Sequence, residues 1–137
     1  MNYYNTFIAV AADAKVDHGA VPPARAGKKS IALLEYELIS AKPYKLTQEE
    51  VQFAVHVQRR ELPVEVVQDK REQLWQEFFS KPMACMRASP LAKSYGWGLH
   101  FNASGKVALI PVESMEYQRL LEDKAIAQTR AMRSKRE

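Results

Sequence analysis

The sequence contains little cysteine and no long apolar run. Cys85 is the only cysteine among the 137 residues, so no intramolecular disulfide can form, and a lone thiol is typical of a reducing compartment. No segment approaches the roughly 20 apolar residues that span a bilayer. The apolar run from Phe7 to Ala12 is too short for a signal peptide and has no Lys or Arg before it. We therefore expect a soluble, cytoplasmic protein with no membrane partner.

Net charge is also low. The formal charge of +4 at pH 7 is too small to indicate nucleic-acid binding by itself. Its distribution is uneven, because residues 81–112 contain four basic side chains and no acidic one. The hydrophobic fraction of 47% and the charged fraction of 26% are those of an ordinary globular protein, and 137 residues suit one domain. The sequence thus predicts a single domain over residues 1–137.

The N-terminal part predicts a strand, a long loop and a helix. The strand covers Thr6 to Ala11, where β-branched and aromatic residues cluster, and the loop runs from Ala12 to about Lys29. Ser30 is expected to cap a helix with Ile31, Leu34, Leu38 and Ala41 on its apolar face, which ends at Pro43. In this helix, Glu35 is predicted to face water.

Two signals conflict after residue 46. Thr47 to Glu50 has the form of a helix-capping box, but Val51, Phe53, Val55 and Val57 then alternate with more polar residues. We favour the alternation, and predict one helical turn followed by a second strand. After Pro63 we predict a buried helix that ends at Lys81-Pro82, with Trp75 and Phe78 as main anchors of the core. Its apolar stripe consists of Val67, Leu74, Trp75, Phe78 and Phe79.

The C-terminal part predicts a hairpin over residues 97–112, turning at Asn102 to Gly105. Ser114 can cap a final helix, broken near Asp123 and resumed from Ile126 to Met132. A basic tail is expected to fray from about residue 130. The predicted fold class is α+β, with a mixed or antiparallel sheet of about four strands packed with three to four helices.

Two segments are candidates for binding an anion. The first is Gly27 to Ser30, which lacks the spacing of a phosphate-binding loop but places Lys28 and Lys29 at a helix N-terminus. Two cations there oppose the helix dipole unless an anion is bound, although both lysines could simply point into solvent. The second is the acid-free stretch from Cys85 to His100, which combines cationic, hydroxyl, aromatic and imidazole groups.

Catalytic and metal-binding chemistry finds less support. No carboxylate near His100 in sequence orients it as a base, and no nucleophile elbow presents Ser89. His18, His56 and His100 show no metal-ligand spacing, so we predict no metal and no cofactor. Cys85 is interpreted as a buried, inert thiol. Whether the protein is an enzyme is left open.

The preferred hypothesis is a protein that binds a small phosphate or carboxylate, provided that the two basic segments converge. An alternative is a nucleic-acid or protein-docking module that uses the basic C-terminal tail, and a third is a homo-oligomer that pairs hairpin edges. If the residues of the acid-free stretch have structural roles instead, Tyr95 and Trp97 belong to the core and Arg87 pairs with a distant acid. The predicted ligand-binding residues are Lys28, Lys29, Ser30, Arg87, Ser89, Lys93, Tyr95, Trp97 and His100.

Several short patterns spread along the chain resemble a family of small uncharacterised bacterial proteins. The likeness covers nearly the whole chain. It implies one domain and a cytoplasmic setting, and it implies no activity, cofactor or catalytic residue. The patterns are Asn2-Tyr3-Tyr4, Thr6-Phe7-Ile8, Val21-Pro22-Pro23, Gly27-Lys28-Lys29, Tyr36-Glu37-Leu38, the alternation from Val51 to His56, Arg87 to Leu91, Tyr95 to Gly98 and Ala131 to Ser134.

Overall fold

A computed structural model describes residues 2–24 and 26–133. These residues form four strands and five α-helices, with a short 3-10 turn at Met86–Ala88. The strands are β1 (Thr6–Ala9), β2 (Trp97–Phe101), β3 (Val107–Pro111) and β4 (Ala127–Arg130). The helices are α1 (Ile31–Ala41), α2 (Gln48–Arg59), α3 (Val64–Phe79), α4 (Pro90–Ser94) and α5 (Met115–Glu122).

The strands form one mixed sheet in the order β3-β2-β1-β4. β1 pairs antiparallel with β2, with Phe7 opposite His100, and parallel with β4, with Ile8 opposite Thr129. β2 and β3 form the predicted hairpin, and Gly105 in its turn has a φ of +77°, where glycine is favoured. The predicted α+β class and the C-terminal hairpin are therefore confirmed.

Strand β1 is buried along its whole length because helices cover both faces of the sheet. Ile8 belongs to the larger cluster, which includes buried residues of α1, α2 and α4. Phe7 belongs to a second cluster with Tyr117 of α5, whose ring meets it edge-on at 5.1 Å between centroids. Both rings crowd Gly98, where a Cβ atom would lie 2.7 Å from Phe7, so only glycine fits there.

The prediction of a strand after residue 50 was wrong, since Gln48–Arg59 is helix α2. Its N-terminus has the full capping box: the Thr47 hydroxyl accepts from the Glu50 amide, and the Glu50 carboxylate accepts from the Thr47 amide. The alternation arises because two faces of one helix are covered. Val51 and Val55, four residues apart, face the main core, while Phe53 points to another side and packs on Trp75 of α3.

Helix α3 occurs where it was predicted, but its assignment to the core was wrong. None of its 16 residues is buried. Trp75 and Phe78 are half-buried and cover Phe53, and the Arg71 guanidinium lies 5.1 Å from the centre of the Phe53 ring. The helix is kinked at Lys70. Its apolar stripe thus covers one side of α2 instead of filling the interior.

The resumed helix predicted from Ile126 to Met132 was also wrong, because this segment contains strand β4. Backbone hydrogen bonds of 2.8 Å join the Ala127 amide to the Asn5 carbonyl and the Ala131 amide to the Ala9 carbonyl. Pairing with β1 overrides the local helix signal. Ala131 is buried, and residues 134–137 of the predicted frayed tail lie outside the described residues.

Among the helices of the described residues, none is long and apolar enough to cross a membrane. The cytoplasmic location stays a prediction.

The capping box predicts that Thr47→Ala lowers the free energy of unfolding by about 1 kcal/mol, because the Glu50 amide loses its acceptor. Urea denaturation measures this change. Ser104→Ala, at an exposed position in the hairpin turn, is the control and should change stability by less than about 0.5 kcal/mol. Equal stabilities of the Thr47→Ala variant and the wild type would contradict the helix start described here.

Candidate functional site

Glu35 is the most unusual side chain of the structure, because it is a buried acid. It is only 6% exposed, so the prediction that it faces water was wrong. It is one of the buried residues of α1, with Ala32 and Ile39, and α4 packs against this helix. Acids are rarely buried without a partner, and Ser89 provides one: its hydroxyl donates a 2.8 Å hydrogen bond to Glu35 Oε1.

Ser89 has two roles at the start of α4. Its Oγ also accepts from the Leu91 amide at 3.2 Å, so Ser89 is the N-cap of this helix, and Pro90 occupies the first helical position. A serine hydroxyl has one proton. With the Leu91 amide as donor on one side, that proton is directed to the Glu35 carboxyl group.

Burial raises the pKa of Glu35 to about 7, and the hydrogen bond from Ser89 lowers it by less than burial raises it. The charged form is disfavoured because the carboxylate would lose most of its water. Below neutral pH, Glu35 is therefore a neutral carboxylic acid, and near neutrality the two forms coexist.

Glu35 lines a cleft of about 610 Å³ between α1, α2 and the segment from Met83 to Pro90. Helix α2 contributes side chains at spacings of three and four residues, which places them on one helix face. Phe78 of α3 closes one side. The lining residues of α2 are Gln52, Val55, His56, Arg59 and Arg60, and those of the other segments are Ile31, Glu35, Phe78, Met83, Ala84, Cys85, Met86, Ala88, Ser89 and Pro90.

The positive charge of the cleft comes from Arg59 and Arg60. Burial lowers the pKa of His56, and the charges of Arg60 and Arg59 lower it further, so its imidazole is neutral at neutral pH. The His56 ring stacks on Phe78 with 4.4 Å between centroids. In the part of the chain that the structure describes, no three His, Cys, Asp or Glu side chains come together to hold a metal ion.

Cys85 is half-buried and lines the cleft, so the prediction of a buried thiol was wrong. It lies beside Tyr3, which is partly covered. Burial, followed by the contact with Cys85, raises the pKa of Tyr3 to about 12. Tyr3 is therefore protonated at neutral pH and is not a source of charge near the cleft.

The predicted residues at the start of α1 lie outside this cleft. Lys28 is exposed, and Lys29 Nζ lies 2.9 Å from Glu37 Oε1 in an exposed ion pair. Ser30 caps α1 as predicted, accepting from the Leu33 amide at 3.2 Å. The ion pair with Glu37 balances part of the charge that suggested an anion at this helix start.

The predicted residues of the acid-free stretch are dispersed among several contacts. Arg87 Nε donates to the Arg130 carbonyl at 2.6 Å, which holds the end of β4. Trp97 Nε1 donates to the Ala20 carbonyl at 2.8 Å, and His100 Nδ1 lies 2.7 Å from the Tyr44 hydroxyl. The remaining two, Lys93 and Tyr95, are half-buried on α4 and at its end.

Of the nine predicted residues, all within the described chain, Ser89 lines the cleft. The sequence interpretation missed Glu35, His56, Arg59 and Arg60. The three side chains of α2 and its C-terminal end were overlooked because residues 51–57 were interpreted as a strand, which ends before Arg59 and Arg60 and would place these two neighbours on opposite faces. The capping box at Thr47 was the available signal.

The fold and the cleft define a small α+β protein with an open, cationic cleft beside a buried carboxyl group. The chain belongs to a family of unknown function, DUF6157, which matches residues 1–137. This confirms the resemblance to a family without an assigned activity, over essentially the whole chain. Neither a curated protein nor a solved structure matches the sequence.

The buried Glu35 predicts that stability falls as pH rises. Its folded-state pKa of about 7 lies above the ordinary value of 4.5, so its contribution is full below about pH 4.5 and is lost as pH rises through about 7. The free energy of unfolding should fall by about 3 kcal/mol over this interval relative to Glu35→Gln. Urea denaturation of both proteins at a series of pH values measures this difference.

The Glu35→Gln variant is the matched control, because its amide side chain can still accept from Ser89 but does not titrate. If the two proteins show parallel stability over the whole pH series, Glu35 does not have a raised pKa.

Proposed function

We propose that the protein binds a small organic anion in the cleft between α1 and α2. The observation that supports this most directly is that Arg59, the last residue of α2, and Arg60, its C-cap, line a cavity whose only lining carboxyl group, among the described residues, is Glu35. Since the pKa of Glu35 is raised to about 7, the cleft is cationic at and below neutral pH.

The two arginines suit an anion because a guanidinium group forms paired hydrogen bonds with carboxylate or phosphate oxygens. Within the described chain, neither Arg59 nor Arg60 forms an ion pair with an acidic side chain. Cations at a helix C-terminus also interact favourably with the helix dipole, so their position at the end of α2 is not evidence by itself. They support an anion site because they line the same cavity as Glu35 and Phe78.

The rest of the cleft suits an apolar or planar body. Ile31, Val55, Met83 and Met86 provide apolar surface, and Phe78 stacked on His56 adds flat rings. The volume of about 610 Å³ lies within the usual range of small-molecule sites, roughly 300–1,000 Å³. An anion with a ring or short apolar chain uses this surface, whereas inorganic phosphate leaves it unfilled.

This proposal keeps the predicted ligand class but replaces most of the predicted contacts. Ser89 remains, and Arg59 and Arg60 take the place of Lys28 and Lys29. The nucleic-acid or docking role of the basic tail stays a prediction, because residues 134–137 are outside the described chain. The homo-oligomer stays a prediction as well.

Calorimetric titration with benzoate, acetate and inorganic phosphate tests the proposal. Benzoate should bind more tightly than either of the others, because it alone combines a carboxylate with an apolar ring. The double variant Arg59→Gln/Arg60→Gln should weaken benzoate binding about 10- to 100-fold, the usual effect of losing a charged hydrogen bond.

Arg119→Gln, an exposed position on α5, removes a positive charge elsewhere and is the control. It should leave the affinity for benzoate unchanged. An equal loss of affinity in both variants would indicate non-specific attraction by net charge, and unchanged affinity in the double variant would contradict the proposed site.

A further inference from the structure

We infer that Glu35 enters the ligand complex as a neutral carboxylic acid that donates a hydrogen bond to an acceptor oxygen of the bound anion, so that binding takes up one proton. The inference rests on the proposed function and adds to it a hydrogen bond from Glu35 to the ligand and the uptake of one proton per ligand. Glu35 would then be a specificity-determining residue that selects ligands with an acceptor oxygen at the inner end of the cleft.

Hydrogen-bond geometry assigns the proton to one oxygen of Glu35. Oε1 accepts from Ser89 at 2.8 Å, and the Ser89 Oγ in turn accepts from the Leu91 amide. Among the described residues, the Ser89 hydroxyl has no other acceptor for its single proton, so its direction is fixed. When Glu35 is protonated, the acid proton therefore lies on Oε2.

Within the described chain, Oε2 of Glu35 has no hydrogen-bond partner. This oxygen is also not fully buried. Since Glu35 lines the cleft, the exposed part of this carboxyl group faces the cavity. A neutral acid there has a donor available for a ligand. An ionised one presents only acceptors, which repel a ligand oxygen.

The other charged groups around α1 do not provide an alternative partner. Of the elements packed on α1, α2 contributes His56, Arg59 and Arg60 to the cleft, and β3 contains no titratable residue. Lys93 of α4 is not a lining residue. From the segment before α4, Cys85 lines the cleft, while Arg87 is engaged with the Arg130 carbonyl.

Ligand binding therefore favours the protonated form of Glu35 for two reasons. The ligand displaces water from the mouth of the cleft, which further disfavours the carboxylate, and its negative charge repels an ionised Glu35. The proton comes from the buffer, and no covalent bond of the ligand changes. Above the pKa that Glu35 has in the protein without ligand, the affinity for the anion should fall about tenfold for each pH unit, because each complex must first acquire a proton.

Calorimetric titration of the full chain with benzoate, in pairs of buffers that differ in ionisation enthalpy, measures this proton uptake. Benzoate remains ionised throughout, so it contributes no proton itself. We expect close to one proton taken up per benzoate at about pH 8, little uptake at about pH 6, and about tenfold weaker binding at the higher pH.

Two variants identify the group that takes up the proton. Glu35→Gln keeps a donor that cannot ionise, so its affinity should be independent of pH and its uptake at about pH 8 should be close to zero. His56→Gln should retain the uptake, because the inference does not involve the imidazole. If the uptake is lost in His56→Gln and kept in Glu35→Gln, the inference is overturned.

The remaining outcomes separate this inference from the proposed function. Benzoate binding that depends on Arg59 and Arg60 but shows neither pH dependence nor proton uptake would overturn the role of Glu35 alone. Failure of benzoate to bind at either pH would contradict the cleft as an anion site and, with it, the role of Glu35.

Discussion

The hydrogen bond between Ser89 and Glu35 is the interaction on which the arrangement of the cleft depends. It joins the middle of α1 to the N-cap of α4, through two residues that are 54 positions apart in the sequence. A buried carboxylate is costly, so the structure favours the neutral acid, and one hydrogen bond from Ser89 does not offset the loss of water. Glu35, which contacts the start of α4 through Ser89, is therefore a protonated carboxyl group that lines the cavity.

Helix α2 explains why the cavity has its particular chemistry. One of its faces contributes Val51 and Val55 to the core, a second contributes Phe53 to the contact with α3, and its C-terminal half presents His56, Arg59 and Arg60 to the cleft. A helix covered on several sides leaves only a narrow face open. The capping box at Thr47 fixes where the helix begins and thus which residues reach that face.

Local signals in the sequence predicted the elements whose environment is simple. Ser30 capped α1, Ser114 capped α5, and the alternation from Trp97 to Phe101 with a glycine-containing turn identified the hairpin. The predictions of secondary structure were wrong where tertiary contacts determine whether a segment is a helix or a strand. Covering α2 on two faces produced an alternation typical of a strand, and pairing with β1 made a strand of Ala127–Arg130.

The site was harder to predict than the fold. A glutamate on an amphipathic helix is normally exposed, and nothing near Glu35 in the sequence shows that Ser89 will cover it. The acid-free stretch did contain Ser89, yet its Arg87 side chain binds the end of β4 and its Trp97 side chain binds the N-terminal loop. Uniform charge along a segment says little about which side chains will share a cavity.

The protonation state of Glu35 is the central claim of this account, and its side-chain carboxyl carbon reports it directly. A carbon-detected NMR titration of protein labelled at glutamate, with the resonance assigned by its absence in Glu35→Gln, measures the pKa without any ligand. We expect an inflection near pH 7, and Ser89→Ala should raise it further because the carboxylate loses a hydrogen-bond donor. An inflection near the ordinary value of 4.5 would contradict it.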